Sequence, residues 1–260
     1  MLMSGPEATL GVSPWMSAAM PPSAFETSAI AEILTQTVLV RPAARRSPPR
    51  LAYAGVVPGN SLSEPEVFVL ADQALNKVVA GIGDDQWAME MPASFQTRRS
   101  DRRPTLRQII NYHAYDDAWV PDMLAGRTMD EAGKDNHKGD LLGDDPKARF
   151  AEIVEKACAA ARNFDALDRV VHTSFGDFKA REYLWQINMF RGLRAHDIAK
   201  VIGAGVELPA DLVQGIWDEI SPHAEEWRKM GVFPEAVAVP SDAPLLDRLL
   251  GLTGRDPKGP

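Results

Sequence analysis

Residues 105–125 read TLRQIINYHAYDDAWVPDMLA, and this stretch decides the fold. At the helical repeat, Leu106, Ile109, Ile110, His113, Asp117, Val120 and Leu124 share one face. A face this apolar points into a core, so the helix turns one imidazole and one carboxylate inward, four residues apart. Charged groups are seldom buried without a partner. The spacing therefore predicts that a metal, a cation or a polar ligand meets them inside. Thr105 and Gln108 offer a capping box at the start, Pro121 is expected to bend the end, and Gly126 to stop it.

Helical patterns flank this segment on both sides. Upstream, Val67, Leu70, Ala71, Ala74, Leu75, Val78 and Ile82 recur at helical spacing from about Ser63, with Pro65 in the first turn and Gly81 and Gly83 at the end. Residues 84–103 form a connector whose Trp87 and Met89 cover the core. Downstream, residues 127–143 read as a polar loop with a solvated His137. Asp145-Pro146 opens a helix that runs to about Arg162. Arg169–Phe178 carries two short β-prone runs around a turn. Lys179–Ile202 is the next long helix, Pro209–Met230 another that Ser221-Pro222 interrupts, and Ala243–Leu250 a short last one. The pattern is all-α: a four-helix bundle with a short extended element or hairpin and extra C-terminal helices.

Composition narrows the function classes. Hydrophobic residues at 45% and charged residues at 25% describe an ordinary folded chain, and a net charge of −8 argues against a nucleic-acid or anionic-membrane partner. No apolar run reaches the roughly 18–20 residues that cross a bilayer. The single cysteine, Cys158, excludes an internal disulfide framework and fits a reducing, cytoplasmic compartment. It sits in an alanine-rich helix and reads as a small core residue. Residues 1–60 are rich in Pro, Ala and Ser, lack a secretory pattern, and read as a disordered leader ahead of a helical domain over residues 61–258.

On the helix KAREYLWQINMFRGLRAHDIAKVIG, stepping about 100° per residue puts Tyr183, Ile187, Phe190, Ile198 and Val201 within about 40° of Arg194. The Arg194 guanidinium is thus expected in the middle of the apolar stripe, with Arg191 and Asp197 at its edges and His196 almost opposite. A buried arginine needs a carboxylate. Asp117 is the nearest candidate, with Asp116 beside it, and a bidentate Arg194–Asp117 pair next to His113 would satisfy both groups.

From about Glu64 to Ile202 the chain resembles the DinB-like superfamily, in the branch of the mycothiol-dependent maleylpyruvate isomerase N-terminal domain. The resemblance rests on Trp87 leading to TLRQIINYH, the AW…LAGR end of that helix, LLGDDP, SFGDF and HDIAKVIG in this order. It implies a helical bundle, a divalent metal such as zinc or nickel, and a thiol cofactor such as mycothiol in the enzymatic members. His113 matches the family's second-helix ligand. Arg194 occupies the later histidine position, His196 the tryptophan position and Phe190 the earlier ligand position, so two ligands are replaced. Arginine has no lone pair for a metal.

Two functions of different class follow. One is a thiol-dependent isomerase or transferase in which Arg194 and Arg191 hold an anionic small molecule beside Asp117, and His113 is the general base. The other is a non-catalytic small-molecule-binding or partner-binding domain whose metal site has become a buried Arg–Asp pair. A rebuilt metal centre from His113, Asp117 and a loop residue such as His172 is a further alternative, and one using His196 needs α-helical rotation by nearly half a turn. Glu219 and His223 are spaced as ligands at i and i+4 but read as a solvated face. Trp185, Trp217 and Trp227 read as packing or interface residues, which leaves a homodimer open.

Overall fold

Ser63 starts the first helix, α1 (Glu64–Ala80): its backbone N–H donates to the Glu66 carboxylate at 2.7 Å, and Pro65 fills the first turn, where no N–H is needed. The computed structural model describes residues 62–95, 102–174, 176–205, 207–229 and 231–259, so the expected leader over residues 1–60 lies outside the described residues. After a 3-10 turn, Ala93–Phe95, comes α2 (Leu106–Leu124). Thr105 and Gln108 cap it as expected, and the helix continues through Pro121 to Leu124. Arg169 closes its far end by donating to the Leu124 carbonyl at 2.8 Å, a cation at the negative pole of the helix.

The polar connector that follows contains a short helix where the sequence predicts a loop, α3 (Met129–Ala132), capped by Thr128 and Glu131. Asn111 on α2 ties the rest of that connector down, donating to the Gly139 carbonyl at 3.0 Å and accepting from the Leu141 N–H at 2.7 Å. Asp145 caps α4 (Pro146–Ala161). A two-stranded antiparallel hairpin, β1 (Val170–Thr173) and β2 (Gly176–Lys179), leads directly into α5 (Ala180–Val201). Three shorter helices finish the chain: α6 (Ala210–Ile220), α7 (Ala224–Lys229) and α8 (Leu245–Leu252).

Among the described residues the chain is mostly helical with one small sheet. Helix α1 packs against α4, α5 and α6, α2 packs against α4, and α8 packs on α6. Two apolar clusters fill the interior. One gathers Leu75, Leu106, Ile110, Phe150, Ile198, Leu212 and Leu249, and Trp87 and Met89 cover it. The other gathers Phe68, Val120, Leu124, Val171, Leu184 and Ile187. Each large side chain withdrawn from water contributes roughly 1.5–3 kcal/mol. Among the described residues, no helix is long and apolar enough to cross a membrane.

Candidate functional site

Between the two apolar clusters lies a layer of four polar side chains from three helices. Asp72 comes from α1, His113 and Asp117 from α2, and Arg191 from α5. Arg191 is 1% exposed, Asp72 and Asp117 are 0%, and His113 is 6%. Helices α2 and α5 are not among the closely packed pairs. The Arg191 side chain spans them.

The guanidinium contacts every other member. Its Nη2 lies 2.5 Å from Asp117 Oδ1 and its Nε 3.1 Å from Asp72 Oδ1. Its Nη1 donates to Nδ1 of His113 at 2.9 Å and to the His113 backbone carbonyl at 3.2 Å. A lone pair at Nδ1 means that the His113 ring is neutral and carries its proton on Nε2. Burial, and then the charges of Arg191 and Arg194, push the imidazole well below its ordinary pKa, which keeps it neutral.

Both carboxyl groups are pushed up, by burial first. Asp72 rises to about 6 and Asp117 well above the carboxylate range, although Arg191 opposes the shift in each. The two carboxyls also act on each other's ionisation. With both ionised, the layer would hold two negative charges against one positive in a dry interior. One proton shared between Asp72 and Asp117 makes it neutral, and that proton supplies the hydrogen bond their bare oxygens lack. The pair titrates as a unit.

This arrangement corrects the expected centre of α5. The side chain that meets Asp117 is Arg191, not Arg194. The stripe that faces the core is Leu184, Asn188, Arg191, Ala195 and Ile198, each 0–1% exposed. Its centre lies about 80° around the helix from Arg194. The reason is close packing: Gly192, Ala195 and Ala199 let α5 approach its neighbours, and a Cβ at Gly192 would stand 2.1 Å from Ile216 Cδ1 on α6. A search for bulky apolar residues passes over that face.

Arg194 lies one turn beyond, with its guanidinium 4.5 Å from the Phe95 ring centre and Nη1 3.6 Å from Asp197. Asp197 is held more firmly from elsewhere. Arg255 grips it through Nε–Oδ1 and Nη2–Oδ2 contacts of 2.8 Å each. Burial would raise the Asp197 carboxyl, but Arg255 outweighs burial and holds it low.

The remaining expected residues stand apart from the layer. His172 pairs with Asp177 across the hairpin at 2.8 Å and does not join His113 and Asp117. His196 is half-buried, and its pKa is lowered by burial. His137 is not simply solvated: its ring meets Trp119 edge-on at 4.6 Å. Glu219 and His223 are not a solvated face. The Glu219 carboxyl is pushed well up by burial, and His223 stands edge-on to Trp185 at 6.3 Å. Trp185 and Trp227 pack together at 4.8 Å, and Arg248 covers Trp217 at 4.7 Å. Cys158 is buried with its thiol pushed up to about 12, as befits a core residue.

Asp72 is the member that the sequence reading missed. It shares a face with Phe68, Leu75 and Val79 (i, i+4, i+7, i+11), and all four are 0% exposed. Searching that face for a lone charge would have found it.

Among the described residues, no three His, Cys, Asp or Glu side chains are arranged to hold a metal ion. His113 and Asp117 both face a guanidinium, which has no lone pair. The residues present therefore do not fit a zinc or nickel centre at this position. Compared with known protein families, curated proteins and solved structures, the chain matches none.

Proposed function

We propose that this chain is a non-catalytic, small-molecule-binding helical domain. Its architecture is that of a DinB-like four-helix bundle of α1, α2, α4 and α5, with Arg191 and its carboxylates standing where a metal would be. The helix contacts support the bundle: α2 touches α4, α4 touches α1, α1 touches α5, and the Arg191 side chain closes the circuit back to α2.

The observation that carries the reading is the contact of Arg191 with Asp72, Asp117 and His113 at once. It occupies the ring nitrogen that a general base would need free, so His113 serves as a donor from Nε2 and not as a base for making a thiolate. The thiol-dependent isomerase or transferase that the resemblance implies would be without its histidine base.

Elemental analysis of the purified chain tests the reading. No zinc or nickel is expected at stoichiometric level, and chelator should leave the melting temperature unchanged. Stoichiometric metal that disappears in His113→Ala would overturn it.

A further inference from the structure

Towards the end of α5, among the described residues, two arginines meet at one carboxylate. Three-quarters of the Arg194 side chain is withdrawn from water. Among the described residues, burial acts first against its charged form and Arg255 adds to that, while Asp197 and Tyr112 favour it. Yet both oxygens of Asp197 are committed to Arg255, at 2.8 Å each, while Arg194 reaches it only at 3.6 Å. Two guanidiniums thus share one carboxylate. The neutral layer around Arg191 supplies no further negative charge.

A partly buried cation with half a counter-ion is costly, and an anion relieves it. The Arg194 guanidinium carbon lies over the Phe95 ring, 4.5 Å from its centre, a contact that uses none of its N–H donors. A planar fork of donors suits two oxygens of one group.

We infer that Arg194 is the anchor of an anion site that takes the carboxylate or phosphate group of a small molecule. This rests on the small-molecule-binding reading above, but not on the absence of a metal, so the two tests fail separately.

The test uses the full chain, with succinate and inorganic phosphate as probes at constant ionic strength and chloride as the balancing anion. Binding is read from the melting temperature and from the arginine Nε–H signals in NMR spectra. A saturable response to either probe is expected, weakened about tenfold or more in Arg194→Gln. Arg194→Lys keeps the charge but loses the fork, and its response should fall between those of the wild type and Arg194→Gln. Arg248→Gln, which removes a ring-stacked arginine elsewhere, should leave it unchanged. A response to one probe only identifies which group the site takes. No saturable response in the wild type, or an equal response in Arg194→Gln, would overturn the proposal. Should Arg194→Gln fail to fold, the Nε–H signal of Arg194 in the wild type decides alone: a saturable shift supports the site, and an unmoved signal overturns it.

Discussion

Arg191 illustrates how a single side chain sets the ionisation of its neighbours. Its positive charge is matched by one negative charge only if Asp72 and Asp117 keep a proton between them. The variants this singles out are amides. Asp72→Asn or Asp117→Asn alone leaves one carboxylate opposite the guanidinium, and each should cost no more than about 1–2 kcal/mol. The double variant strands a buried cation and should cost roughly 3–5 kcal/mol, more than the sum of the two singles. Urea unfolding of the four species measures this directly. Additive costs would mean that the two carboxyls do not act as a pair.

At the scale of elements, the crossing of α5 over α6 turns on Gly192. Alanine there gains about 1 kcal/mol of helix propensity but places a methyl 2.1 Å from Ile216 Cδ1, an overlap costing roughly 1–3 kcal/mol. Gly192→Ala should therefore destabilise the wild type. In an Ile216→Val background, where that methyl is gone, the same change should become neutral or stabilising. Thermal melts of the four proteins read the reversal of sign.

The helices themselves were legible because their signals are local: Thr105 with Gln108, Asp145 before Pro146, Pro65 in a first turn. The inward turn of His113 and Asp117 was legible for the same reason, since a strongly periodic α2 leaves one choice of face. Helix α5 was different. Its buried face is made of glycine, alanine, asparagine and arginine as much as of leucine and isoleucine, so hydrophobic periodicity pointed about 80° away. Asp72 was passed over because the apolar stripe of α1 was drawn through Val67, Leu70, Ala74 and Val78; its only local sign is that it is the charge on the Phe68–Leu75–Val79 face, and its partners lie more than forty residues away in sequence. The short α3 fell within a stretch too polar to show a stripe.

Across the whole molecule, acid acts on the layer in two opposing directions. Asp72 has its folded pKa raised to about 6, so its contribution to stability is present below about pH 4 and is lost as pH rises through about 6, while the Asp117 carboxyl, raised further, keeps its proton to higher pH. His113 has its folded pKa depressed, so the unfolded chain takes up a proton below about 6.5 that the folded chain refuses, and stability falls as pH drops. Removing the imidazole removes the second effect alone. The destabilisation caused by His113→Gln should therefore shrink between about pH 7 and pH 5, as measured by denaturant unfolding at each pH. A cost that grows on acidification would show that the ring is protonated in the folded chain.

The span of Arg191 across the α2–α5 interface also governs alignment along the helix axes. Greasy surfaces tolerate sliding by a turn, because one leucine substitutes for the next, whereas a forked cation reaching two acids and an imidazole is met at a single setting. The layer thus acts as an indexing pin: it sets the height of α5 against α2, and with it the height at which Arg194 is presented to whatever approaches from outside.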